Sequence, residues 1–196
     1  SHACLARRLD ENQGIDRKRR STYQSKTKIA VKTMATIRKA QRQDVPIILQ
    51  LIKELAEYEK EPDAVEATEE ILEQSIFDKQ QANVVLLEEE GQTIGFALYF
   101  FNFSTWRGKA GLYLEDLFVR PEFRGRGYGK LLLSYLANQA QRNDCPRFEW
   151  IVLDWNTPSI NFYKAMGAKP LDTWTVFRLE NKALKDLSEQ FEQLNR

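Results

Sequence analysis

Arg124-Gly125-Arg126-Gly127-Tyr128-Gly129 joins an apolar run, Leu112 to Val119, to an amphipathic stretch that begins near Tyr128, and its chemistry is that of an anion site. Glycines at a strand-to-helix junction let the main chain approach a ligand closely, and the first free N–H groups of the helix point into the turn. The helix dipole favours negative charge there, and consecutive backbone donors can wrap two phosphates. Pyrophosphate is the expected guest, with Arg124 and Arg126 adding positive charge and Lys130 in the helix's first turn. Glu115 and Asp116 lie just upstream, at the carboxyl end of the strand that leads into the turn. His2 is the only histidine, which excludes zinc chemistry and any Ser-His or Cys-His nucleophile system, so no metal is expected. The dinucleotide fingerprint fits less well: Asp154 is the only candidate for its ribose-binding acid, it comes late, and there is no room for a doubly wound fold.

The elements that position these residues follow from period and punctuation. Thr36 to Lys39 reads as an opening strand, and Asp44-Val45-Pro46 as a helix start with a capping Asp, followed by Ile48, Leu51, Ile52 and Leu55 on one face. A second helix begins at Thr68 and carries Ile71, Leu72 and Ile76. Asn83 to Glu88 and Thr93 to Phe103 flank a turn as a hairpin. Strand Leu112 to Val119, helix Tyr128 to Arg142, strand Phe148 to Val152 and a helix from Thr157-Pro158 to Met166-Gly167 come next. Trp174 to Leu179 reads as a last strand and Ala183 to Leu194 as an amphipathic helix. The order is an α+β pattern with one mixed, mostly antiparallel sheet flanked by helices.

A chain of 196 residues with 42% hydrophobic content can bury one good core. The net charge of +1 hides an asymmetry: Ser1 to Thr33 holds nine Lys/Arg against three Asp/Glu, which leaves the remainder at about −5. Residues 1–33 therefore read as a basic, disordered extension and 34–196 as one domain. A transit peptide, a basic address or nucleic-acid tail, or an extension without a part in the fold are the readings for it, with Asp10, Glu11 and Asp16 counting against transit. No apolar run approaches the ~20 residues a membrane span needs. Cys4 and Cys145 form no disulfide framework, which suits a reducing compartment. The location expected is cytoplasmic, with organelle import through the extension left open.

Arg124-x-x-Gly127-x-Gly129, read together with LQLIKELAEYE (Leu49 to Glu59), WRGKAGLYLEDLFV (Trp106 to Val119) and LDWNTPSINFYKAMGAK (Leu153 to Lys169), resembles the diamine acetyltransferase family of the GNAT superfamily of N-acyltransferases. The likeness runs from about Ala35 to Leu179. It implies the GNAT fold, acetyl-CoA as cosubstrate, a small-molecule amine as acceptor and a homodimer, and no nucleic acid or membrane as partner of the domain. Leu117, Phe118 and Val119 then offer main-chain groups to the pantetheine arm, as an added strand would. Residues Arg124, Gly125, Arg126, Gly127, Tyr128, Gly129 and Lys130 hold the pyrophosphate. Asn156 either caps the helix that follows it or reaches the cosubstrate.

An alkylammonium with a pKa near ~10.4 has no lone pair for a thioester at neutral pH. The resemblance makes Glu115 the base, directly or through a water, and Tyr163 the acid that protonates the leaving thiolate, so that both are catalytic. Tyr58 and Glu59 match family positions that face the amine, Glu115 and Asp116 make the acidic end of the substrate site with Ser104, and Trp106 and Trp174 are the expected walls of its channel. Ser104 departs from the polyamine-acting branch, which carries an acid there, and points to the thialysine-acting branch. Two other classes are carried beside this one: a protein-lysine acetyltransferase, which needs an open groove, and a non-catalytic CoA-binding module, against which Glu115 and Tyr163 both speak.

Overall fold

The structure, a computed structural model, describes residues 35–194, so the expectations for the basic extension lie outside the described residues. One five-stranded sheet runs in the order β1 (Ala35–Lys39), β2 (Asn83–Glu89), β3 (Gln92–Ser104), β4 (Lys109–Val119), β5 (Phe148–Glu149). β1 to β4 pair antiparallel, while β5 lies parallel to β4 after the crossover through α3 (Tyr128–Arg142). The expected single mixed sheet with flanking helices is the architecture found.

The sheet is packed on both faces. On one, α1 (Val45–Tyr58) buries Val45, Ile48, Leu51 and Leu55 against Val84, Leu86, Phe96 and Phe118. On the other, α3 buries Leu132, Leu133 and Leu136 against Val85, Leu87, Ala97, Leu112 and Leu114, with Phe162 and Tyr163 of α4 (Thr157–Ala165) at its edge. α2 (Glu69–Leu72) is capped as expected by Thr68, whose hydroxyl accepts from the Ile71 N–H at 3.2 Å. It continues as π-helical turns over Glu73–Asp78, a phase that buries Leu72 and Ile76 and leaves Ile71 outside. Asp44 does not cap α1. Its carboxylate accepts from the Gln41 N–H and from two nitrogens of Arg38, at 2.6, 2.7 and 2.9 Å, so a charged donor on β1 has taken the cap's acceptor.

Two sequence expectations fail near the carboxyl end. The strand from Phe148 to Val152 pairs only through Leu112↔Phe148 and Tyr113↔Glu149, and residues 150–153 leave the ladder. The segment Trp174 to Leu179 is not a strand: no described edge pairs with it, and Trp174, Val176 and Phe177 stand exposed. α5 (Asn181–Leu194) follows with Leu184 and Leu187 also exposed.

Register in the centre of the sheet shifts between Leu98 and Tyr99, where β4 carries one residue more than β3: Leu98 faces Asp116, Tyr99 faces Leu114, and Glu115 is the extra residue. Leu112 and Leu114 pack on the α3 side, but so do Leu117 and Val119, whereas Phe118 packs on the α1 side. The bulge has inverted the alternation. Gly95 keeps the strands close beyond it, since a Cβ there would lie 2.5 Å from the Phe118 carbonyl oxygen and 3.2 Å from Val119 Cα. Gly95→Ala is expected to destabilise the fold by about 1–3 kcal/mol through this overpacking, read from denaturant unfolding. An unchanged midpoint would show that β3 and β4 can separate at no cost.

Candidate active site

Where β5 leaves β4, the two strands open a cleft. Leu114, Glu115, Asp116 and Leu117 form one wall, residues 150–153 the other, the end of α1 (Leu55, Tyr58, Glu59) the roof, and Asn156, Ser159 and Tyr163 of the α4 region the floor. Beyond Tyr113 one edge of β4 has no strand beside it, so half of its main-chain N–H and C=O groups face this cleft. A chain rich in amides can pair there as a strand would. The Val119 carbonyl is the exception, because it already accepts from Arg124 Nε at 2.9 Å.

The cleft runs into the glycine turn. A short 3-10 turn (Pro121–Phe123) ends β4, Gly125 and Gly127 take φ of +77° and +85°, and Gly127 is the residue before α3 with no side chain capping the helix. A Cβ added at Gly125 or Gly127 would meet nothing within 4 Å. The glycines are thus required by backbone conformation, and the space above them is free for a ligand. Gly129 differs: its Cβ position is 3.8 Å from the Phe162 ring, so it lets α3 and α4 approach.

The two arginines of the turn do not face that space as free charges. Arg124 lies over the Tyr58 ring at 4.6 Å and the Phe118 ring at 5.5 Å. Arg126 pairs with Glu89 at 3.2 Å and lies over Phe123, while the Tyr128 hydroxyl donates to the same Glu89. An anion at the turn would therefore be met chiefly by the uncapped N–H groups of α3 and its dipole. The residues fit a pyrophosphate with an amide-rich arm, which is the shape of coenzyme A.

The cleft's charge has one sign. Among the described residues Glu59, Glu115 and Asp116 line it, and no Lys or Arg does. Asp116 is pushed up to about 7, first by burial and then by the charges of Glu115 and Glu59. Burial also raises Glu59. Tyr163 is raised by burial, then by Glu59 and Tyr58, so its phenol keeps its hydrogen at neutral pH. Its ring packs on Trp150 at 5.0 Å, and Trp150 on Phe148 at 4.9 Å, an aromatic row that fixes where the hydroxyl points.

Tyr58, Glu59, Glu115, Asp116, Asn156 and Tyr163 meet in the cleft. Asn156 caps α4, its Oδ1 accepting from the Ser159 N–H at 3.3 Å and from the Tyr58 hydroxyl at 3.5 Å. Ser104, Trp106 and Trp174 do not line the cleft of their own chain. Ser104 is buried at the far end of the β3–β4 hairpin, accepting from the Arg107 N–H at 3.3 Å, and Trp106 is 92% and Trp174 71% exposed. Trp150 and Ser159 line the cleft without having been singled out from sequence. The alternation Phe148-x-Trp150 ahead of Tyr163 was the available signal for the first, and Ser159 carried none.

A sequence model of the Acetyltransferase (GNAT) family matches residues 48–168. Thialysine N-epsilon-acetyltransferase of Bos taurus is 38% identical over 164 residues, covering 78% of this chain and 96% of that protein. Spermidine/spermine N(1)-acetyltransferase-like protein 1 of Homo sapiens is 36% identical over 163 residues, covering 78% of this chain and 23% of that longer protein. Among solved structures, an integron cassette protein from the mobile metagenome of V. cholerae superposes with a TM-score of 0.69 at 26% identity, over 79% of this chain and 98% of that one. Cleft, glycine turn and relatives agree: the chain belongs to the GNAT acetyltransferase family and is an acetyl-CoA-dependent N-acetyltransferase.

Proposed function

We propose that this enzyme acetylates the primary amine of a small molecule of the thialysine, lysine-like, diamine or polyamine class. The observation that carries this is the cleft's charge: three carboxylates and no cation beside Tyr163 make a site for an ammonium group. The relatives named for thialysine and for spermidine and spermine support the same class of acceptor. Bound acetyl-CoA supplies the thioester carbon to be attacked and the thiol to be released. Backbone groups of Leu117 and the Val119 N–H, on the free edge of β4, hold the pantetheine arm, whereas those of Phe118 face β3; the N–H groups from Gly127 to Lys130 hold the pyrophosphate. Glu115, directly or through a water, takes the proton that frees the amine's lone pair, and Tyr163 gives its hydrogen to the departing sulfur. Alignment of amine and thioester in the cleft supplies much of the rate, because no covalent enzyme intermediate is needed.

A homodimer completes this reading. Phe101, Phe103 and Trp106 at one end of the hairpin and Trp174, Val176 and Phe177 after α4 are large apolar groups left exposed on one chain. A second copy seated on them would bring its own hairpin tip, with Ser104 and Trp106, toward the acidic cleft.

Gly127→Glu is expected to abolish acetyl-CoA binding, since the side chain would be forced into a left-handed backbone position and set a negative charge where the pyrophosphate lies. Unchanged affinity by calorimetry would remove the cosubstrate assignment from the turn.

Tyr163→Phe keeps the aromatic row and removes only the hydroxyl. It is expected to lower kcat roughly 10²-fold while acetyl-CoA affinity stays the same. A wild-type kcat in this variant would take the acid role away from Tyr163.

The expected substrate order follows from Ser104, which offers a hydroxyl in place of a charge. A charge-assisted hydrogen bond is worth about 1.5–3 kcal/mol, more than tenfold in kcat/KM. Thialysine, lysine-like amines or short diamines should be preferred over spermidine and spermine, and Ser104→Asp should move the ratio toward the polyamines. Light scattering should show a dimer. A monomer, or an unchanged ratio in Ser104→Asp, would count against Ser104 facing the amine of a paired copy.

A further inference from the structure

Asp116 is the carboxylate that the bulge turns inward. Glu115, the extra residue, is exposed, whereas Asp116 stands opposite Leu98 and two residues from Phe118, on the α1 side of the sheet. The described residues around it in the cleft are apolar, neutral polar or of like charge, with no cation among them. Leu55, Tyr58 and Glu59 face it from α1, Glu115 from its own strand, Asn156, Ser159 and Tyr163 from the α4 region, and the wall at residues 150–153 is apolar. Among the described residues no salt bridge or side-chain hydrogen bond ends on it. Arg124, the guanidinium behind Tyr58, is engaged with that ring and with the Val119 carbonyl.

We propose that Asp116 is the carboxylate that finally holds the amine's proton during catalysis, with Glu115 at the mouth exchanging protons between the cleft and solvent. The assignment rests on the amine reading above. An acceptor serves best when its proton affinity lies near the working pH, for it must be ionised before the step and still hold what it takes. Asp116, raised to about 7, meets both conditions, and its half-buried charge is only partly solvated and, among the described residues, has no cationic partner until an ammonium arrives. The residue thus binds the cation and is discharged by it.

The step balances. An N–H bond of the ammonium breaks and its proton forms the O–H bond of the Asp116 carboxylic acid, directly or through Glu115 or a water. The freed lone pair forms the C–N bond at the thioester carbon as the C–S bond breaks. Tyr163 gives its hydrogen to the departing sulfur and recovers one from the same nitrogen, which has then lost two. Asp116 releases its proton to solvent past Glu115, so each turnover yields one amide, one thiol and one proton.

The test compares Asp116→Asn, Glu115→Gln and Glu59→Gln with the unaltered protein, using a lysine-like amine and acetyl-CoA. The acid limb of kcat/KM should lie near pH 7 in the unaltered protein. Asp116→Asn should lose that limb, fall roughly 10²–10³-fold at pH 7, and recover only where the amine itself loses its proton, with acetyl-CoA affinity unchanged. Glu115→Gln should keep an acid limb with a lower kcat, and both it and Glu59→Gln should move the limb to lower pH, because each removes one like charge beside Asp116. Infrared difference spectra of the protein without substrates give a second readout. A carboxylic acid C=O band should vanish as pH rises through about 7, be absent in Asp116→Asn, and persist in Glu115→Gln with its loss moved to lower pH. If Asp116→Asn fails to fold, the Glu59→Gln shift and the band in Glu115→Gln still decide. A limb or band that survives in Asp116→Asn, or disappears in Glu115→Gln, overturns the assignment while leaving the enzyme an amine acetyltransferase. An unaltered protein that acetylates none of the amines overturns the amine reading itself.

Discussion

One extra residue in β4 sets the geometry on which the rest depends. Strict alternation from Leu112 and Leu114 would put Asp116 into the core beneath α3 and turn Leu117 toward α1. The bulge at Glu115 prevents both, because a slip of one residue exchanges the two faces of everything that follows. Leu117 and Val119 return to the α3 side and Asp116 moves to the α1 side, where a cleft can hold it. A bulged strand also bends and twists more strongly, and β5 stops pairing at Tyr113, next to the bulge. The free β4 edge and the inward carboxylate have a common origin.

The roof of the cleft is held by arginine. Arg120, just past β4, donates to both carboxylate oxygens of Glu54 at 2.9 Å each and to the Thr93 carbonyl at 3.0 Å. A forked guanidinium fixes angle as well as distance, so α1 is registered against the end of β4 four residues before Tyr58. Arg124 then lies over Tyr58 itself. The chain leaving the sheet is therefore tied twice to the helix that carries Tyr58 and Glu59, and a change in the glycine turn reaches the acidic cleft through one side chain.

Local signals were legible in the sequence and long-range partners were not. Pro46, Thr68, the paired strands around Glu89 to Gln92 and the left-handed Gly127 each depend on a few neighbouring residues, and each is where its residue type placed it. Asp44 looked like a cap because only the following helix was in view, and its acceptor went to Arg38 on β1. Arg126 looked free for phosphate until Glu89, distant in sequence, was folded beside it. The bulge has no Gly or Pro to mark it, since Glu-Asp in a strand reads as ordinary alternation. Trp174 to Leu179 has strand composition but joins no edge among the described residues, and composition cannot supply a partner.

The acidic cleft is maintained against the fold's own stability. Asp116 is raised from 3.8 to about 7 on folding, so the folded chain binds this proton more tightly than the unfolded one. Below the ordinary aspartate range the group costs nothing on this account. The penalty grows as pH rises from about 4 to 7 and is complete above it, on the order of 4 kcal/mol, against a total of roughly 5–15 kcal/mol for a domain. A salt bridge to an internal arginine would remove the cost, and Arg120 and Arg124 lie close by in sequence, yet one is committed to Glu54 and the other to Tyr58 and Val119. In the proposed reading the missing counter-charge is the substrate's ammonium. An ammonium entering the cleft would relieve repulsion among Glu59, Glu115 and Asp116 that folding leaves in place, so part of its binding free energy would be strain already present in the empty protein.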